Sequence, residues 1–277
     1  MAASDYTVKA SSAFCPLGIL GSSIDAYETD FPLSDFNAIP EDAIEVGSAA
    51  MINDEIVKVV SFTNTLAVVE RGCADTIPQA HDVGSKIWFF DDATASDSVE
   101  YAGTSTISVK IIPRTATGGV VPIDYVYPND ITFNLRFARP YPPGKLRVNG
   151  NNFNLVEVIT PSNASLVLTW KHRNRVTQAD ILFGHEEDSI SPETGQSYTL
   201  RFYSVNDSGV RTLVRTVTGV TAETYTYTRA TMLSDLGVIT TTPSTIKQMQ
   251  FELETERDGY TSWQKYVCDF TVDIVYP

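Results

Sequence analysis

Ser165-Leu-Val-Leu-Thr-Trp170 decides how this chain folds. Leu166, Leu168 and Trp170 alternate with Val167 and Thr169, the two-residue period of a strand that buries one face. Downstream the same period returns. Tyr198, Leu200 and Phe202 lead to a turn at Asn206-Asp-Ser-Gly209, where short polar residues and glycine favour reversal. Thr212 to Val217 reads as a further strand closed by Gly219, and Tyr225 and Tyr227 alternate with threonines. Met249, Phe251 and Leu253 share one face, and a loop at Asp258-Gly259 precedes a last strand over Val267 to Val275. Short alternating strands with turns between them, and a tryptophan early in the series, predict a β-sandwich of about seven strands.

Upstream, residues 6–92 read as a smaller β domain. Ala43-Ile-Glu-Val46 is expected to be a short strand before Gly47. Ala50-Met-Ile52 and Glu55 to Phe62 form a hairpin around Asn53-Asp54, a polar two-residue turn suited to positive backbone angles. Thr65 to Glu70 alternates into another strand that Arg71-Gly72 breaks, and Lys86 to Phe90 closes the domain. Five short strands point to a small barrel or curled meander. Ser12 to Ser23 reads as an ordered loop. Residues 91–97 read as a linker, and two strands are expected between Val99 and Val121 and one over Ile131 to Phe137. Arg139-Pro-Tyr-Pro-Pro-Gly144 is stiff and extended, because three prolines in six residues exclude a helix or a central strand. Helix is confined to Arg229-Ala-Thr-Met-Leu-Ser-Asp-Leu236, before Gly237.

The expected architecture is all-β, with a small N-terminal barrel or meander over 1–95, a middle β segment with a Pro-rich connector over 96–148, and the sandwich over 149–277. The 277 residues, 43% of them hydrophobic, suffice for more than one core. Mean hydropathy is −0.07 and no apolar run approaches the roughly 20 residues of a membrane helix, so no membrane insertion is expected. Met1 to Ala10 lacks a basic segment followed by an apolar one, so no secretory signal is expected. The net charge of −14 is uneven: residues 1–100 carry 17 acids against 4 bases, whereas 101–277 carry 17 against 16. Without a basic footprint, nucleic acid is a poor partner. Cys15, Cys73 and Cys268 are widely spaced and odd in number, which supports neither a zinc knuckle nor a disulfide framework.

Arg71-Gly-Cys-Ala-Asp-Thr-Ile-Pro-Gln-Ala-His81 holds the most reactive grouping, with Cys73, Asp75 and His81 as thiol, carboxylate and imidazole. The architectural explanation is preferred: Asp75 and Thr76 cap a tight loop that Pro78 stiffens. The acid pairs Glu41/Asp42, Asp54/Glu55 and Asp91/Asp92, with Glu186-Glu-Asp188, read as solvated surface rather than a glycosidase pair. No calcium-loop, P-loop, HExxH or GxSxG pattern occurs, and no cofactor is implied. Lys171-His-Arg-Asn-Arg175 is the one basic run, and Lys171, Arg173 and Arg175 are the candidate subunit contact, set against the acidic N-terminal half of a neighbour.

Trp170, the Gln196–Val205 strand, Tyr225 with Tyr227, and the final strand pair give the C-terminal region a resemblance to fibronectin type III modules. A wider resemblance is to bacteriophage tail-tip and baseplate proteins. It is carried by Met51-Ile-Asn-Asp-Glu-Ile-Val-Lys58, Arg71-Gly-Cys-Ala-Asp-Thr76, Ile87-Trp-Phe-Phe90, the Pro-rich segment, Leu168 to Arg175, and Arg257-Asp-Gly-Tyr-Thr-Ser-Trp263. That resemblance implies a non-enzymatic structural protein of the virion tail, made in the bacterial host cytoplasm. Its partners would be other phage tail proteins and further copies of itself in three- or six-fold rings. The rival readings are a receptor- or carbohydrate-binding module, which needs exposed aromatics in the loop between Trp170 and Tyr198, and a hydrolase.

Overall fold

A computed structural model describes residues 6–34, 43–188, 190–238 and 245–274. The chain divides into two compact units, one built from residues 1–14 and 93–138 and the other from 15–92 and 139–277.

The larger unit begins with a closed barrel of β1 (Leu17–Leu20), β2 (Asp30–Ser34), β3 (Ala49–Ile52), β4 (Glu55–Thr63), β5 (Leu66–Glu70) and β6 (Lys86–Trp88). The strands run in the order β1-β2-β5-β4-β3-β6, every neighbour antiparallel, and β6 closes on β1. Period-two alternation fills the interior: Val57 and Val59 of β4, Ala67 and Val69 of β5 and Ile87 of β6 are buried. Asn53 takes a φ of 50° in the β3–β4 turn, as the hairpin reading requires.

Two expectations change here, and one strand carried no reading. Residues 17–20, read as loop, form β1. Asp30-Phe-Pro-Leu-Ser34 forms β2 although Pro32 lacks an N–H: Phe31 and Leu33 bury while the Pro32 carbonyl accepts from the Gly21 N–H at 2.7 Å. Residues 43–47 form a turn rather than a strand, although Ile44 is still buried.

The smaller unit contains one hairpin, β7 (Thr106–Val109) with β8 (Asn129–Thr132). Of the two strands expected between 99 and 121, β7 is one; 114–120 forms a turn closed by an Arg114–Val120 bridge. The strand expected over 131–137 stops at Thr132, and Arg136–Ala138 is a short 3-10 helix.

The sandwich is formed by β9 (Gly144–Val148), β10 (Asn151–Asn152), β11 (Glu157–Ile159), β12 (Ser165–Lys171), β13 (Ser197–Val205), β14 (Arg211–Val220), β15 (Thr224–Thr228), β16 (Ile246–Arg257), β17 (Tyr260–Thr261) and β18 (Tyr266–Asp273). One sheet runs β10-β9-β12-β15 and the other β11-β18-β16-β13-β14, with β17 on β16. Counting the seven principal strands, the first sheet holds the first, second and fifth, and the second holds the seventh, sixth, third and fourth. This is a fibronectin type III-like sandwich. β9 belongs to it, so its first strand lies within the segment read as connector.

Leu166, Leu168 and Trp170 of β12 point inward and Val167 and Thr169 outward. Trp170 meets Tyr198 edge-on at 5.2 Å, and Phe202 lies 4.3 Å from Tyr227. The predicted helix is α1 (Arg229–Asp235), capped by Thr228, whose hydroxyl accepts from the Thr231 N–H. It ends at Gly237, φ 64°, with Val238 N–H donating to Leu233 and Gly237 N–H to Ser234, a Schellman motif. Met232 is its buried anchor.

Two substitutions separate core from surface. Phe202→Ala is expected to destabilise the larger unit by about 3–5 kcal/mol. Val176→Ala, at a side chain 67% exposed, should stay within about 0.5 kcal/mol. Urea denaturation of both variants against the parent chain checks the pair.

Candidate functional site

Glu55 is the first residue of β4 and lies in phase with Val57 and Val59, so its carboxylate enters the barrel interior. It is wholly buried and five donors surround it. Arg71 approaches in fork geometry, Nε to Oε1 and Nη2 to Oε2, both at 2.8 Å. The Gly72 N–H reaches Oε1 at 2.9 Å, and the Gln79 N–H and His81 Nε2 reach Oε2 at 3.0 and 2.8 Å. Arg71 is equally satisfied. Its remaining donors meet the carbonyls of Asp25, Glu28 and Gln79, and its guanidinium lies 5.0 Å over the Phe31 ring. Burial alone would raise the Glu55 carboxyl, but hydrogen bonds from Arg71 and His81 outweigh it and hold the group below its ordinary value of 4.5.

This cluster answers the question posed by Cys73, Asp75 and His81. His81 uses Nε2 on Glu55 and Nδ1 on the Asn53 amide at 3.0 Å, so neither ring nitrogen remains to take a proton from a thiol. The Cys73 thiol rests 3.6 Å from the Glu70 carbonyl, and burial pushes it up to about 12. Such a thiol stays protonated at neutral pH and is a poor nucleophile. Thr76 caps the loop as expected: its hydroxyl donates to the Cys73 carbonyl at 2.7 Å and accepts from the Ile56 N–H at 3.1 Å. Asp75 is buried beside Arg173.

The basic run is split by the fold. Arg173 is 1% exposed and turned inward. Its guanidinium donates to the barrel carbonyls of Gly72 at 3.1 Å and Ala74 at 3.2 Å, to the Phe183 carbonyl at 3.3 Å and to the Gln178 side chain. The expected contact between copies is therefore not open to Arg173. Its guanidinium meets the N-terminal barrel of its own chain, through carbonyls rather than carboxylates. Lys171 pairs with Glu223 at 2.7 Å and Arg175 with Glu193 at 2.9 Å, both within the sandwich.

Further ties join barrel to sandwich. Gln264 accepts from the Ile77 N–H at 2.8 Å and donates to the Asp54 carbonyl at 2.6 Å. The Tyr27 hydroxyl accepts from the Phe153 N–H at 3.0 Å, and the His185 N–H donates to the Arg71 carbonyl at 2.8 Å. An open groove of about 700 Å³ runs along this junction, lined by Asp54, Pro78, Phe153, Trp263 and Lys265 among others. Phe183, the aromatic of the 171–197 loop, is half-buried.

The acid pairs serve locally. Asp91 caps the Ala49 N–H, and Glu186, held to about 2 against the pull of burial by His185 and Arg147, bridges the two. Asp188 pairs with Lys145. Glu41 and Asp42 lie outside the described residues. Among the described residues, no group of three or more His, Cys, Asp or Glu could hold a metal ion.

Glu55, read from the sequence as a solvated acid of the Asp54/Glu55 pair, is instead wholly buried because Arg71, His81 and two amides compensate its charge, and sequence reading missed Tyr27 and Gln264. Glu55 left one signal: an acid in the apolar phase of an alternating strand is buried and needs a partner. Tyr27 and Gln264 left none, because their partners lie more than a hundred residues away.

A barrel fused to a fibronectin type III-like sandwich through buried polar contacts is the class this fold defines. A crystal structure of an Fn3-like protein from Clostridium thermocellum aligns with 50% of this chain and 94% of its own, at 18% identity and a TM-score of 0.23. No family model matches the chain, and no curated protein matches it.

Glu55→Gln should cost about 3–5 kcal/mol at pH 7, because Arg71 keeps a buried charge without its counter-ion. Since the folded carboxyl lies below 4.5, its contribution is complete above that pH and is lost as pH falls through the folded value. The gap between parent and variant in urea midpoint should therefore narrow on acidification. Arg173→Ala should cost about 3 kcal/mol by stranding buried carbonyls, whereas Lys171→Ala, at a half-exposed pair, should cost at most about 1 kcal/mol. Equal effects in the same denaturation series would contradict the inward placement of Arg173.

Proposed function

We propose that this chain is a structural component of a bacteriophage tail, located at the tail tip or baseplate in association with the hub. The observation that carries the reading is the use made of Arg71 to His81. This stretch bears the tail-protein resemblance, and it also contains the residues that resemble a catalytic set. Its arginine and histidine converge on Glu55, and its backbone carbonyls receive Arg173 from the sandwich. A loop used in this way supports a fixed angle between two domains, which is what a scaffold protein requires. On this reading the protein is not an enzyme and needs no cofactor. Its partners are other tail proteins and symmetric copies of itself, and it resides in the virion. The carbohydrate-binding alternative draws less support, because the loop that would present aromatics offers a half-buried Phe183 whose carbonyl is held by Arg173.

Antibody raised against the purified chain, followed by gold labelling of intact virions under the electron microscope, tests the reading. Gold at the distal end of the tail is the expected result. Gold elsewhere on the particle would discard the location, and protein confined to the lysate would overturn the virion assignment.

A further inference from the structure

The described residues of the smaller unit form no buried core. Among the described residues of 6–14 and 93–138 none is buried, yet Phe14, Ile111, Tyr125, Tyr127 and Phe137 are each between 72% and 89% exposed. Its hairpin is tied by local contacts: Thr106 to Thr132 through their hydroxyls at 2.7 Å, Ser108 to Asp130, and a stack of Tyr101 on Phe133 at 5.2 Å. A two-stranded hairpin with no buried face is marginal in water, and segments this short rarely bury enough apolar surface to be stable alone. Among the described residues β7 and β8 pair only with each other, leaving an open edge on either side. Exposed large aromatics in a unit that also has open strand edges mark a surface that another chain covers.

Charge indicates which chain. Residues 1–14 and 93–138 carry five acids and four bases, whereas the remainder carries 29 acids and 16 bases. Two copies meeting through the remainder would bring two strongly acidic bodies together. Meeting through this unit, they join surfaces with almost no net charge, and like-charge repulsion is smallest there. A foreign partner selected by net charge would find almost none on this unit. We infer that the smaller unit is a self-association element, completed by the same unit of a second copy through its open strand edges and exposed aromatics. The inference rests on the architectural reading only for the expectation of several copies; the surface and its occupant stand on exposure and charge.

Sedimentation velocity of the full chain over a concentration series tests it, with Tyr125→Ser/Tyr127→Ser/Phe137→Ser as the variant. The parent chain should associate, and the variant should associate about a hundredfold more weakly with the urea midpoint of the larger unit unchanged. Hydrogen exchange on the parent provides a second readout that needs no variant: amides of 106–109 and 129–132 should slow as concentration rises. A chain that stays monomeric overturns the inference. So does association that survives the triple substitution, or association that leaves those amides unprotected. Self-association through this unit in a protein absent from virions would sink the tail assignment and leave this inference standing.

Discussion

A carboxylate with no exposed surface, surrounded by five donors, holds the larger unit together. Glu55 could not remain charged inside a barrel without compensation, since an isolated buried carboxylate costs far more than a small domain's whole stability. The compensation comes from one arginine, one histidine and two backbone amides, all supplied by residues 71–81. The loop must therefore adopt a single course across the end of the barrel. Gly72 makes that course possible. Its φ is 56°, and a Cβ there would lie 2.5 Å from Pro78 Cδ, so no other residue fits without displacing the proline. Its N–H serves Glu55 and its carbonyl serves Arg173, so one residue touches both buried charges.

Through Gly72 the two domains share a polar interior. Arg173 is buried and is held by carbonyls of the barrel loop and of the sandwich's own long loop. Burial pulls its guanidinium below the ordinary arginine range. Such an arrangement is a poor source of net stability and a good source of specificity, because a misplaced loop leaves a buried cation without partners. Barrel and sandwich are thus matched to one another in detail.

Much of the sandwich was legible in the sequence, since its signals are local: the Leu166-Leu168-Trp170 alternation, the Asn206–Gly209 turn, and the short helix that stops before Gly237. The β3–β4 hairpin was legible for the same reason. β1 and β2 were not, because they are short and contain or adjoin glycine and proline, and they are strands only by virtue of their partners in the closed barrel. The candidate site divides along the same line. Residues 71–81 stood out by composition, but their chemistry depends on Glu55 and Arg173, one from another strand and one from another domain. The inward turn of Arg173 ran against the expectation that Lys171, Arg173 and Arg175 together face a neighbouring copy.

The order of the chain adds a last consequence. Barrel and sandwich form one compact unit although residues 93–138 lie between them in sequence. The segment 93–138 is thus an insertion whose two ends both return to the same folded body. An insertion contributing nothing to the surrounding core is free to change in length and composition at a rate the barrel and sandwich cannot match. In evolutionary terms the chain combines a slowly drifting frame with an exchangeable cassette, and related frames would be expected to carry dissimilar segments between the last barrel strand and the prolines that lead into the sandwich.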